Sequence, residues 1–578
     1  MSPQSGSTPP TAAGRPSFLA STHLVSTTQY LTTVAGYRIL EAGGNAIDAG
    51  VAAGLAINVV DRQYTDLGGV APIMIHRTGA SEPETIDGLG RWPRSLTLSE
   101  LLERFGENLP MGVHRSVTPA ALDAWLTALA RHGTMTLGQV AAPAIELTEG
   151  FPVPPSLAAH VAEWRHLISR WPTTARVFLP EGRPLRVGEL LVQPELGELL
   201  RHLVAIEAGS GAPDRAGRIM AARHDVYRGS VAEEIAGFFR SEGAALSVED
   251  LAAASVTVGP GVHTSYRGVD VYATGPWSQG PLVPMVLSLL EGFDVATVHG
   301  SDLHFHRVTE AIKLACADRE GFIGDPDLVD VPIDGLLSKT YAAERRSLID
   351  DQRAMPALPP PGDPWRHEGR SGPAGYIPTP RPGPTAPDTA YVCVVDLHGN
   401  AFSATPSDPS LLGPIVPGVG MTVSTRGSQL WLDPAHPSAV APGKRPRLTP
   451  NPGLLVVDGQ PLMPFGCPGA DAQTQAMVQV VTNLLDRGMD LQPAIDYPRV
   501  ISMSFPDSVY PHAYEPGRLL VEGHVPRAVR DTLERLGHQV DDLPSFSPTA
   551  AGICAIVRGQ GVLLGGADPR RESLALGR

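Results

Sequence analysis

Few residues of this 578-residue chain stand where side-chain chemistry needs them. The four cysteines, Cys316, Cys393, Cys467 and Cys554, are widely spaced and form no C-x-x-C pair, so neither a disulfide framework nor a zinc site is expected. His304 and His306 are two apart, a spacing that turns them away from each other on a helix and makes a poor start for a metal site. Pro276-Trp277-Ser278-Gln279-Gly280 is not the G-x-S-x-G elbow of a serine hydrolase, and no phosphate-binding glycine loop is present. Thr389 is distinguished by its surroundings. A threonine opening a strand is ordinarily there for its β propensity. Here it follows Asp388 at the end of a proline-rich run, opens the strand-like Thr389 to Asp396, and is followed after a turn by Thr405-Pro406-Ser407.

The elements that must hold these residues can be read from pattern. From His23 to Asp350, helical and strand-like segments alternate between Gly and Pro punctuation, as an α and β layered architecture requires. Asn45 is a suitable N-cap for an Ala-rich helix from about Ala46, with Ile47, Val51, Leu55 and Val59 on one face. Its small residues suit close packing on a sheet. Phe305 to Arg319 reads as a second helix, with Val308, Ile312 and Ala315 on one face and charges elsewhere. Between Pro356 and Pro387 the density of proline is expected to exclude helix and central strand and to leave a linker. A hairpin through His398-Gly399-Asn400 then joins the strand after Thr389 to a second over Ala401 to Thr405. Gly413 to Gly453 is dense in Pro and Gly, an irregular stretch whose length suggests that it builds a site. Strand from Leu454 and helix from Gln473 to Leu485 follow.

The sequence resembles the γ-glutamyltransferase family over nearly its whole length. The resemblance is carried in the first half by Gly43-Gly44-Asn45-Ala46-Ile47-Asp48-Ala49, Leu67-Gly68-Gly69, Pro119 with Trp125, Pro143 to Leu147 and Glu149-Gly150-Phe151-Pro152. In the second half it is carried by Asp396 with Gly399-Asn400, Pro442-Gly443-Lys444-Arg445-Pro446, Pro468-Gly469, Pro498-Arg499 and Ala567 to Arg571. It implies an α+β fold, the four-layer αββα sandwich of N-terminal-nucleophile hydrolases, with two stacked antiparallel sheets between helical layers. It also implies a precursor that cuts itself between Asp388 and Thr389. Residues 1–22 would be a disordered N-terminus, 23–388 a large subunit ending in the proline-rich tail 356–388, and 389–578 a small subunit, the two associating as a heterodimer. The freed threonine would carry its base in its own α-amino group, whose unperturbed pKa is about 7.7–8.0. Ser407 falls where the family holds that amine with a second hydroxyl, and Gly469-Ala470 where two backbone N–H groups form an oxyanion hole. Alanine serves there provided the backbone needs no positive φ.

Other positions depart from the family. The arginine that binds a glutamyl carboxylate corresponds to Leu89, the aspartate that binds its ammonium to Gln429, the serine pair to Leu448-Thr449, and an asparagine to Pro409. A buried charge without its partner costs several kcal/mol, roughly, so glutathione is not the expected substrate. Arg426, Lys444, Arg445 and Arg447 offer positive charge to a small anionic substrate, with Gln429 and Thr449 beside them, although cations in such a loop also commonly bind backbone carbonyls. Trp92 and Trp431 offer pocket walls or core packing. The pattern looks like the family's divergent branch, which holds amidohydrolases of oxo-acid amides such as oxamate and carbon-carbon bond hydrolases of alkylproline antibiotic pathways. An uncut, inactive binding protein is the alternative from another class.

Bulk properties fit a small-molecule enzyme without a cofactor. A net charge of -15 opposes binding to nucleic acid or anionic lipid. Ala46 to Val60, the longest apolar stretch, is too short to span a bilayer and is broken by Asp48 and Asn58. The first twenty residues hold no apolar signal core, so a cytoplasmic location is expected, and free, buried thiols agree with it.

Overall fold

Thr389 leads directly into an interior strand of a sheet. The run Ala390 to Val395 is apolar on both sides because both faces of that strand are covered. Ala390, Val392 and Val394 face a helical layer, while Tyr391, Cys393 and Val395 face a second sheet, the period-two alternation of a strand. The computed structural model describes residues 15–294, 303–381, 383, 389–559 and 561–578, so Asp388 and residues 1–14 lie outside it.

Two seven-stranded sheets are stacked. The first runs in the order Leu574–Gly577, Leu24–Thr27, Val392–Val395, Ala401–Ala404, Ile73–His76, Glu84–Ile86 and Val258–Pro260, all antiparallel. The second runs Phe18–Ala20, Leu563–Ala567, Cys554–Arg558, Gln460–Gly466, Gly453–Val457, Val269–Ala273 and Val262–Tyr266, again antiparallel. Three cores define four layers. Helices including Ala46–Val60, Ala121–His132 and Leu137–Thr148 pack on the outer face of the first sheet. Residues such as Leu24, Met74, Tyr391 and Ile556 fill the space between the sheets. Leu282–Glu291, Leu303–Phe322 and Ala472–Leu485 cover the second sheet. This is the expected αββα sandwich.

Several elements differ from expectation for physical reasons. The helix Ala46–Val60 starts where Asn45 caps it, with Asp48 completing a capping box, but every one of its residues is buried rather than one face alone. Gly50 lies against the ring of Phe402 and Gly54 against Trp125, where a Cβ would come within 2.3 and 2.6 Å, so close approach requires glycine. Leu303–Phe322 is likewise buried all round, charges included. The proline-rich tail is not merely a linker. Pro364–His367 makes one helical turn, proline at its start needing no N–H partner, and Trp365 is buried. Tyr376 N donates to Gly321 O at 3.3 Å and Tyr514 N to Arg381 O at 2.8 Å, tying the tail to the body. Nor is the whole of residues 1–22 disordered, since Phe18–Ala20 forms an edge strand. The second hairpin strand ends at Ala404, one residue early. All four cysteines are free and buried.

Candidate active site

The site is assembled from four loops around one hydroxyl. Thr389 is 1% exposed at the head of that interior strand, and Ala390 N donates to Pro406 O at 2.9 Å, which brings Ser407 alongside. The Oγ1 of Thr389 and the Oγ of Ser407 are 3.0 Å apart. Ser407 is itself fixed by backbone exchange with Val70, whose N–H donates to Ser407 O at 3.0 Å while Ser407 N donates to Val70 O at 2.9 Å. From the helix Ala472–Leu485, Gln473 donates its Nε2 to Thr389 Oγ1 at 3.1 Å. Its Oε1 is buried without a donor among the described residues, a cost of about 1–3 kcal/mol for such a group. Nothing in the sequence pattern singled out Gln473.

Gly469 and Ala470 lie at the start of that helix, and their N–H groups have no acceptor among the described residues. Their carbonyls are drawn the other way. Gly469 O accepts from Ala472 N at 2.8 Å, and Ala470 O accepts from Gln473 N and Gln279 Nε2, each at 3.2 Å. A pair of adjacent N–H groups left without an internal acceptor is what an oxyanion requires. The condition set for alanine is not met: Ala470 has φ +48°, beside Gly469 at +124°. A narrow cavity of about 50 Å³ adjoins them, walled by Ile501, Met503 and Phe505. A roomier one of about 600 Å³, walled by Leu101, Phe105, His114 and Leu246, is lined by none of these groups.

The candidate substrate residues separate into two sets. Arg426, fully buried in the short turn Arg426–Gln429, donates to Ser407 Oγ. Its neighbour Asp408 is raised above the usual carboxylate range by burial, which Arg426 opposes, and accepts from Ser424 Oγ at 2.6 Å and Thr425 Oγ1 at 2.7 Å. The other cations are committed elsewhere. Lys444 donates to Pro437 O, and Arg445 pairs with Asp87, Asp325 and Asp327. Arg447 pairs with Glu320 at 3.0 Å and donates to Arg319 O at 3.0 Å. The sequence positions of Arg445 and Arg447 gave no sign of their partners, which are more than a hundred residues away. Gln429 and Thr449 satisfy each other, Gln429 Nε2 donating to Thr449 Oγ1 at 3.1 Å and Thr449 N to Gln429 Oε1 at 3.0 Å.

Leu89 and Leu448 come together with Val70 and Trp277 in one buried apolar cluster. This cluster adjoins the site on two sides. Val70 holds Ser407, and Gln279, which bonds to Ala470, donates its backbone N–H to Leu448 O at 2.9 Å. Trp92 packs with Leu101, Val117 and Leu430, while Trp431 is sandwiched between His436 and His512 with ring centroids 3.8 Å apart on each side. The tail's Tyr376 meets both Trp431 and His436 edge-on.

Beneath the loop lies an ionic hub. Glu320 resists burial, which would raise its pKa, because the Arg447 and Arg319 guanidinium groups and His436 hold it well below the usual range. Arg319 in turn pairs with Asp471 next to Ala470 and donates to Gln279 Oε1 at 3.1 Å. Away from the site, His306, Glu310 and His538 bring potential metal-ligand atoms together, a grouping the His304 and His306 spacing did not reveal. Their atoms already serve one another: His306 Nδ1 lies 2.9 Å from His538 Nε2, and Glu310 takes the Lys313 ammonium at 2.7 Å. A cation would meet that ammonium. Among the described residues no helix is long and apolar enough to cross a membrane.

The gamma-glutamyltranspeptidase family profile matches residues 32–577. The chain is similar to the glutathione hydrolase-like YwrD proenzyme of Bacillus subtilis (strain 168), 30% identical over 97% of this chain and 99% of that protein. It is similar to the acylase ACY 1 proenzyme of Pseudomonas sp. (strain SE83), 32% identical over 95% of this chain and 92% of that one. The solved cephalosporin acylase of Bacillus halodurans superposes with a TM-score of 0.85 at 29% identity, covering 100% of this chain and 99% of that chain.

Proposed function

The chain belongs to the gamma-glutamyltranspeptidase family of hydrolases, and from that premise we propose that it is a self-processing amide hydrolase of acylase type with Thr389 as its nucleophile. In the first step Thr389 Oγ attacks the Asp388 carbonyl carbon, the C–N bond breaks, and the nitrogen takes the hydroxyl proton. The acyl chain then sits as an ester on Oγ, and water hydrolyses it to the Asp388 carboxyl group and the free Thr389 hydroxyl. The resulting α-amine serves as base for turnover. It takes the hydroxyl proton as Oγ attacks the substrate amide, and passes it to the leaving nitrogen. The N–H groups of Gly469 and Ala470 receive the oxyanion, and water releases the acyl group.

The observation that carries this reading is the buried Thr389 hydroxyl held by Ser407 and Gln473. The Leu89 and Leu448 cluster supports an acyl group without the glutamyl charge pair. The case for an anionic substrate rests on Arg426, the one cation of the four beside Ser407. Carbon-carbon bond hydrolysis would use the same groups, and no residue in the site favours it. The test is intact mass together with turnover. The natural chain is expected as fragments 1–388 and 389–578 that hydrolyse an uncharged acyl p-nitroanilide faster than γ-glutamyl p-nitroanilide, and Thr389→Ala as one inactive chain. A natural protein that stays uncut and inactive would mean a binding protein instead.

A further inference from the structure

We infer that Gln473 is a two-ended clamp on the nucleophile, its Nε2 holding the Thr389 hydroxyl before the cut and its Oε1 receiving the Thr389 α-amine that the cut creates. The inference rests on the self-processing reading. In the continuous chain the nitrogen of Thr389 is a peptide nitrogen with one hydrogen. After hydrolysis it is an amine with two, or an ammonium with three, and each added N–H in a buried site needs an acceptor. Gln473 has one available. The residue is fully buried, its Nε2 is 3.1 Å from Thr389 Oγ1, and among the described residues its Oε1 has no donor. An amide's oxygen and nitrogen diverge from one carbon, and a threonine's nitrogen and hydroxyl diverge from two adjacent carbons. The clamp has Gln473 donating to the hydroxyl through the N–H on the side of its own oxygen, which turns Oε1 toward the same residue. Both ends of Gln473 are then used only once the chain is cut.

The two ends act differently on reactivity. A donor to Oγ1 stabilises the negative charge that grows on that oxygen during attack, in self-cleavage and in turnover alike. An acceptor to the amine fixes the direction of its remaining lone pair and favours the protonated form. Gln473 is held at the N-terminal end of the helix Ala472–Leu485, whose backbone also orients Ala470 through Gln473 N, so nucleophile and oxyanion donors are placed by one rigid element.

The test compares Gln473→Leu, which removes both ends, with Gln473→Glu, which keeps only acceptors and adds charge. Self-cleavage, followed by intact mass, is expected to slow about tenfold or more in both. The basicity of the freed amine is then read from the pH dependence of its acetylation by acetic anhydride in the intact, folded two-fragment protein, with the label counted by mass on the 389–578 fragment afterwards. The midpoint is expected to fall in Gln473→Leu and to rise in Gln473→Glu, by about one unit or more in the latter. Shifts of opposite sign are not what a packing defect produces. A variant that stays uncut is opened by an external protease through a recognition sequence replacing residues 384–388, so the amine can still be titrated. Natural-rate cleavage with unshifted midpoints in both variants would overturn the clamp, as would shifts of the same sign. Failure of the natural chain to cut would instead remove the function proposed above.

Discussion

Ala470 holds a left-handed backbone at φ +48°, where a side chain costs roughly 1–2 kcal/mol. The second oxyanion donor of the proposed mechanism is its main-chain N–H, so the strain falls on the reacting geometry. Ala470→Gly is expected to retain turnover and to leave stability unchanged or raise it by up to about 1 kcal/mol, glycine's chain entropy offsetting part of the relief. Chemical denaturation and an acyl anilide assay check this; a less stable or inactive variant would show that the methyl group packs usefully. At this scale, the sequence disclosed what depends on neighbours in the chain. Thr389 stood out because a proline-rich run, a strand and a turn surround it, and Ser407 follows within eighteen residues. Gln473 did not, because a glutamine in the first turn of a helix acquires meaning only from what tertiary packing sets against it. Arg447 looked like a substrate ligand for the same reason, its partner Glu320 being 127 residues away.

The helix Leu303–Phe322 and the loop around Arg447 meet in the Glu320 hub, and Thr449 of the same loop pairs with Gln429. Removing Arg447 leaves Glu320 with Arg319 and His436 alone, and breaking such a buried pairing costs up to about 3–5 kcal/mol. Arg447→Ala is accordingly expected to lose about that much stability by chemical denaturation, and to lose activity because Thr449 and Ala470 are anchored through the same elements. Stability within about 0.5 kcal/mol of the natural chain would show that Arg447 is a spectator here. Helix positions were readable from caps and periodicity, as at Asn45, but their exposure was not. Both Ala46–Val60 and Leu303–Phe322 are enclosed by neighbours on every side, so the apolar stripe marks only the face that needs no polar partner.

Across the molecule, buried imidazoles make stability depend on pH. His538, which bridges Leu303–Phe322 to the segment leading into Gln539–Leu543, is pushed down to about 3 by burial, with Lys313 and His306 adding to the effect. Between an unfolded-state pKa of about 6.5 and that value, the unfolded chain binds a proton that the folded chain refuses. Its contribution is therefore lost as pH falls through that window. His538→Gln lacks this term, so its stability deficit relative to the natural chain is expected to shrink by up to about 2–3 kcal/mol between pH 7 and pH 4.5. Paired denaturation curves at the two pH values measure it; a constant or growing deficit would contradict neutral burial of His538. The layered sandwich itself was visible in the sequence through the family resemblance and the alternation of elements, whereas strand order was not, since neighbours in a sheet come from opposite ends of the chain.

That interleaving has one last consequence. The strand Val392–Val395 is hydrogen-bonded between Leu24–Thr27 and Ala401–Ala404, and Cys554–Arg558 and Gly453–Val457 share a sheet with Val269–Ala273. A chain cut at Thr389 thus owns two fragments that complete each other's sheets and have no separate folds to return to. It would form as one molecule and, once fully denatured, could recover only by collision of two, so its melting would depend on concentration and its assembly would show hysteresis.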